Sequence, residues 1–413
     1  MPRRRKSISI AIAAGRIENY DGWNMSPDKE PFSLYTHIPY CISKCPYCDF
    51  NVHIVRKIPE SEYSEALVKE VAFYAQAEGW RGRSLKSLFF GGGTPSTFTP
   101  ATIGKILEKA AALFSFEKEI EITLEANPDR NDSKHFPAYR SCGVNRISLG
   151  VESFQPHLLK FLGRLHSAAD NRSALRMIRQ AGFENFNLDL IYASPSQSLA
   201  DLESDLEEAL GFQPPHLSAY NLTIEEGTPF YREYKDGKLR PLAEEDEVAM
   251  AGLIEETLSN NGLERYEISN YARAGFHSRH NLNYWQGGDY LGIGAGAHSH
   301  LRKLEKGAFS SRWHNEKNPR RYMESVKRSG QAVVEKEEND LTKSAAEFMF
   351  MGLRMIKGIS TEEFSRRFKK NPGEFYPQIR DWLEGGLMEE KAERLRLTRR
   401  GLLVANSIFV SFV

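Results

Sequence analysis

Residues 35–50 read YTHIPYCISKCPYCDF, and they hold three of the chain's four cysteines: Cys41, Cys45 and Cys48. Their spacing is C-x3-C-x2-C. Thiolates are soft ligands suited to zinc or to iron–sulfur clusters. Structural zinc takes four ligands, usually in paired C-x2-C spacings. A four-cysteine cluster would need a further cysteine close by, and the remaining one is Cys142, in YRSCGVNRIS. Cys142 reads as a small buried hydrophobe. The third option is a [4Fe–4S] cluster on three cysteines. It leaves one iron open, and an open iron is a chemical handle.

The chain around this loop has 413 residues, enough for one large domain with an appendix or for two to three domains. Lys+Arg and Asp+Glu balance at 55 each, so the charge gives no reason to expect nucleic acid or an acidic membrane as the main partner. Sparse, clustered cysteine argues against a secreted disulfide framework and for a reducing compartment. We expect a cytoplasmic protein. The start, MPRRRKSISIAIAAGR, faintly resembles a signal or transit segment. Its apolar part is short and broken by serines. Residues 1–30 therefore read as an N-terminal extension, with Met25 as a candidate start.

From Pro31 to about Thr223 a strand–loop–helix pattern repeats. The strands are SLYTHI, LKSLFF, IEITLEA, RISLGV, FNLDLIY and HLSAYNL, and amphipathic helical runs such as SEYSEALVKEVAFYAQAE lie between them. Six such alternations predict an α/β fold with a parallel sheet, a partial (βα)6 barrel. Chemistry in such sheets sits at the C-terminal strand ends. There the sequence places the cysteine loop, then GGGTP, Glu125, Glu152 and Asp189. A core over 31–300 is followed, over 301–413, by a more charged, helical, winged-helix-like domain.

The stretches YTHIPYCISKCPYCDF, FFGGGTPS, LEANPD, GVNRISLGVESF, LGRLHS and LDLIYASP together resemble the oxygen-independent coproporphyrinogen III oxidase-like family of the radical S-adenosylmethionine (SAM) superfamily. The resemblance implies a [4Fe–4S] cluster on Cys41, Cys45 and Cys48, with SAM on the open iron. It implies SAM contacts at Tyr35, Tyr47, Gly92, Gly93, Thr94, Glu125, Glu152, Arg164, Asp189 and Thr223. Glu152 departs from the pattern, which has Gln in LGVQSF, and adds negative charge near the bound ligand.

Two branches of that family differ two positions after the third cysteine. The oxidases carry another cysteine there; the heme chaperone branch carries Phe, as this chain does at Phe50. That branch also has HNxxYW, here His280, Asn281, Tyr284 and Trp285. Imidazole is a natural axial ligand for heme iron, and Tyr and Trp offer flat faces with polar tips. Gly-rich GGDYLGIGAGAHSH would let a flat ligand approach the backbone, with His298 and His300 as candidate second ligands. The resemblance thus implies heme binding and delivery to heme-acceptor proteins of respiration. It allows peripheral membrane contact through the acceptors, allows a homodimer, and calls for no nucleic acid. The rivals are coproporphyrinogen III oxidation by two propionate decarboxylations, or radical SAM chemistry on another substrate.

Overall fold

The computed structural model describes residues 30–302 and 309–412; the expectation for residues 1–30 falls almost wholly outside them. Six strands follow the predicted series: β1 Phe32–Ile38, β2 Ser84–Gly92, β3 Ser115–Ala126, β4 Arg146–Glu152, β5 Asn185–Tyr192 and β6 His216–Asn221. Each is parallel to the next, and a helix fills every crossover. Helix starts follow local chemistry. Ser167 and Ser198 each close a capping box, with Asp170 and Asp201, at the heads of Ala168–Gln180 and Leu199–Gly211.

Side chains alternate along the strands. One face carries Leu34, Phe90, Leu124, Leu149, Leu188 and Leu217, all buried in the main core against the helices. The other face is polar, with Ser33, Ser87, Glu121, Arg146, Asn187 and His216 buried inside the curl of the sheet. A parallel sheet covered by helices on one face alone would be left wet on the other. Here the polar inner face lines a cavity.

The sheet is wider than the predicted six strands. Beyond β6 come β7 Glu264–Arg265 and β8 Asn270–Ala272, both antiparallel additions. On the far side of β1 lies β9 Tyr290–Ile293, a further parallel strand, followed by antiparallel β10 His298–Arg302, β11 Ser310–Asn315 and β12 Val333–Asn339. The stretch GGDYLGIGAGAHSH therefore builds strands instead of a ligand platform. A side chain on Gly292 would strike the His298 carbonyl, and Gly294 (φ +103°) lies against the His37 carbonyl. Its glycines serve close packing of backbone on backbone.

From sequence the first domain ends at residue 300; in the structure the sheet runs on to Asn339. The alternating charges of VVEKEEN look like a solvated helical region, yet they form the exposed edge strand. A separate core begins with helix Leu341–Gly352 and gathers Met349, Phe364, Phe368, Ile379 and Leu395. A three-stranded sheet, Ile359–Ser360, Arg394–Leu397 and Met388–Lys391, completes the winged-helix-like unit. Among the described residues no helix is long and apolar enough to cross a membrane.

One buried acid ties the outer strands to the barrel. Glu70, on helix Glu60–Tyr74, accepts from Tyr322 Oη (2.6 Å), the Gly294 N–H (2.9 Å) and Asn315 Nδ2 (2.8 Å). Removing it orphans the Tyr322 hydroxyl and the Gly294 N–H and leaves Asn315 Nδ2 with the Gly294 carbonyl alone. Glu70→Ala is expected to cost on the order of 3 kcal/mol in urea denaturation, with Glu70→Gln costing less. A change below about 0.5 kcal/mol, the range of ordinary surface substitutions, would contradict this role.

Candidate functional site

At the C-terminal end of β1 the chain turns through Tyr40–Cys41, which bridges His53–Ile54 and closes the cysteine loop on itself. His37 braces both sides of this loop. Its Nε2 lies 3.0 Å from the Asn51 carbonyl and its Nδ1 lies 2.9 Å from Tyr35 Oη. A carbonyl only accepts, so Nε2 carries the proton and Tyr35 donates to Nδ1. Asn51 in turn donates to the Ala295 carbonyl at 3.0 Å, fastening the loop to the end of β9.

Cys41, Cys45 and Cys48 are free, half-buried thiols on one wall of a cavity of about 620 Å³. Among the described residues no group of three such side chains is close enough to hold a single metal ion. Two donors address the sulfurs: Thr94 Oγ1 at 3.3 Å from Cys41, and Arg164 Nη1 at 3.6 Å from Cys45. Gly93 lets this happen, since a side chain there would meet Cys41 Sγ and the Tyr40 carbonyl.

Arg164 joins the loop to two strand ends. It donates to Asn127 Oδ1 (2.7 Å) and the Gly150 carbonyl (3.0 Å), and it lies 3.5 Å from Glu152. Glu152 is buried with φ +63°, after an irregularity in the β4–β5 register. That strained turn aims its carboxylate back at Arg164. Burial pushes the Glu152 carboxyl up to about 7, against the pull of Arg164. The acid that replaces the family's Gln is thus given a partner of opposite charge. Asn127 Nδ2 completes the chain by donating to Thr94 Oγ1 at 3.1 Å.

Deeper in, Glu125 Oε2 accepts from the Gly92 N–H at 3.2 Å, and Asp189 accepts from Ser148 (3.0 Å) and Asn187 (2.8 Å). Tyr35, Tyr47, Gly92, Gly93, Thr94, Glu125, Glu152, Arg164, Asp189 and Thr223 all line the same cavity as the cysteines. So do His280, Asn281 and Tyr284, from the short helix Arg279–Trp285 capped by Ser278. Trp285 does not; its ring lies under the Arg354 guanidinium, 4.5 Å from the centroid. His300 is buried against the Gly288 carbonyl and His298 is exposed, and neither lines the cavity. Cys142 hydrogen-bonds its own helix at the Tyr139 carbonyl. Phe50, 62% exposed, lines the cavity where it opens to solvent, as do the exposed Ile42 and Leu165.

His280 is 1% exposed and both ring nitrogens are engaged. Nδ1 is 2.9 Å from Ser87 Oγ, which itself donates to Ser33 Oγ at 2.7 Å. Ser87 has a single proton to give, so it accepts from Nδ1–H. The lone pair is then on Nε2, where it accepts from Tyr284 Oη at 2.8 Å. Burial pulls the imidazole down to about 3, so it stays neutral. Phe89 stacks on the ring at 4.9 Å.

Sequence reasoning did not single out His37, Asn127 or Arg146. His37 and Asn127 sit inside quoted motifs, HIPYC and LEANPD, and hydrogen-bonding capacity next to a ligand residue is the signal that marks them.

Burial pushes the Glu125 carboxyl up to about 8, with Asp189 adding to the rise. The folded value lies above the unfolded one, about 4.3, so the fold favours the neutral acid. Its contribution is complete below the unfolded value and is lost as pH rises through about 8. The urea midpoint of the ligand-free protein should fall as pH rises from about 4 to about 8, and Glu125→Gln should flatten that fall. An identical pH slope in the variant would refute this.

Residues 35–209 match the family model of the radical SAM superfamily, and residues 340–404 match that of the HemN C-terminal domain. The radical SAM match implies SAM and a [4Fe–4S] cluster. The chain is 36% identical to the heme chaperone HemW of Haemophilus influenzae, over 94% of this chain and 99% of the relative. It is 35% identical to that of Escherichia coli, over 93% and 98%. It is 33% identical to the mouse mitochondrial radical S-adenosyl methionine domain-containing protein 1, over 97% and 89%. Among solved structures, coproporphyrinogen III oxidase (HemN) of Escherichia coli shares the fold, with a TM-score of 0.78 at 21% identity, covering 93% of this chain and 90% of that one. The chain belongs to the HemW family of radical SAM proteins.

Proposed function

We propose that the protein binds heme and hands it to heme-requiring partners, with a SAM-bound [4Fe–4S] cluster at the cysteine loop. The single observation that carries this reading is that the cysteines and the His280–Tyr284 pair line one cavity. The relatives named heme chaperones support it along nearly the whole chain.

The residues fit both groups. Three soft thiolates with N–H and O–H donors on two of them suit a cluster. When bound, cluster and SAM supply radical chemistry; this chain supplies position and shelter from water. Heme is the cargo. His280 holds the tautomer an iron needs, with a neutral Nε2 lone pair facing Tyr284 and Nδ1–H fixed by Ser87. Binding exchanges the Tyr284 hydrogen bond for an iron–nitrogen bond. Phe89 stacks on the ring, and Tyr35 stacks in turn on Phe89. At the mouth, Phe50, Ile42 and Leu165 give a porphyrin apolar contact on entry and exit.

The test is heme titration of the anaerobically reconstituted protein, followed by the Soret band. Wild type should bind. His280→Ala should weaken binding by at least about tenfold, at unchanged cluster content. Tyr284→Phe removes the competing hydroxyl and should tighten it. Unchanged affinity in His280→Ala, together with turnover of coproporphyrinogen III, would overturn the chaperone reading in favour of the oxidase.

A further inference from the structure

The lower end of the cavity holds a charge that the site described above does not use. Arg146 begins β4, lines the cavity and is 2% exposed. Its Nε–H has no hydrogen-bond partner, and among the described residues its guanidinium forms no ion pair. Other buried arginines are paired: Arg83 lies 2.7 Å from Asp289 and Arg164 lies 3.5 Å from Glu152. The acids around Arg146 are hydrogen-bonded elsewhere, although Glu125 and Asp189 feel its charge without an ion-pair contact. Glu121 accepts from the backbone N–H groups of Arg279 and His280, both at 3.0 Å. Asp189 is held by Ser148 and Asn187, and Glu125, raised to about 8, is mostly neutral near pH 7. The cross-strand neighbour Thr123 also carries a buried hydroxyl without a partner.

A buried, unpaired guanidinium is costly unless something supplies the opposite charge. Its planar fork matches a carboxylate through two parallel hydrogen bonds. We propose that Arg146 anchors a carboxylate of the molecule that fills the lower cavity, and that this carboxylate is a porphyrin propionate.

The register favours the porphyrin over the other source, the methionyl carboxylate of SAM. The cysteine end of the cavity has its own guanidinium, Arg164, which meets β4 at the Gly150 carbonyl (3.0 Å), four residues or about 13 Å along the strand from Arg146 at ~3.3 Å per residue, too far for one SAM carboxylate to serve both. Phe89, Thr123 and Arg146 stand at one level across β2, β3 and β4. Two strand spacings, about 10 Å, separate Arg146 from the Phe89 that stacks on His280. That is the order of the reach from a porphyrin's centre to its propionates. This inference rests on the heme reading and adds where the acid edge of the ring goes.

The test compares heme with iron protoporphyrin IX dimethyl ester, whose carboxylates are blocked, in wild type, Arg146→Gln and Arg146→Lys. Cluster content reports folding, and equilibrium dialysis measures SAM separately. Wild type should prefer the free acid by at least about tenfold. Arg146→Gln should bind both forms alike, Arg146→Lys should fall between, and SAM affinity should not move. Equal binding of acid and ester by wild type would overturn the inference and leave the heme reading intact. So would an undiminished preference in Arg146→Gln. A loss of SAM affinity with the acid preference kept would assign the carboxylate to SAM and overturn the porphyrin. Binding of neither porphyrin by wild type would sink the heme reading and this inference together.

Discussion

One guanidinium holds the site together. Arg164 reaches Cys45 on the cysteine loop, Asn127 beyond β3, and Gly150 and Glu152 at the end of β4. Through Asn127 the chain of contacts runs on to Thr94 and Cys41. Loops at strand ends are the mobile part of such folds. Here a buried cation with five donors in a fixed fork ties three of them at set distances. A lysine could not, since it offers a point charge without the fork. The unusual acid Glu152 then makes sense as a counter-charge to the same arginine.

The inner face of the sheet is a second constraint. A layer of buried Ser, Asn, Glu, His and Arg side chains is stable only if each polar atom finds a partner. Most do: His216 bridges Asn187 and Tyr266, at 2.6 and 2.8 Å, and Ser218 joins Asn187 to Asn270. His280 is part of this fabric as well as a cavity residue. Its tautomer is decided by two serines deep in the barrel, so the nitrogen turned toward a ligand was fixed far from any ligand. Arg146 is where the fabric stays open.

Much of this was legible in the sequence, because the strand–helix alternation is periodic and the cysteine spacing is local. The six parallel strands and the strand-end positions of Glu125 and Glu152 follow from that pattern, whereas Asp189 lies inside β5, three residues before its end. What escaped has physical causes. β9 is only four residues, YLGI, set in a glycine-rich stretch, and its strand character comes from pairing with β1. β12 is charged because it is an edge, so its composition imitates a solvated helix. Trp285 belongs to a motif whose other members face the cavity, yet one further residue along a helix turns the side chain by about 100°, and it stacks under Arg354 instead. Phe50 was read as a missing cysteine; the structure adds that it is an exposed apolar residue at the mouth.

The central claim is that cluster and porphyrin share one cavity. The most direct measurement is pulsed EPR on the reduced cluster, with and without bound copper(II) protoporphyrin IX, a paramagnetic porphyrin that the cluster does not readily reduce. The account predicts faster relaxation and dipolar broadening of the cluster signal when the porphyrin is bound. A cluster signal unchanged by bound porphyrin would place the two in separate sites and contradict it.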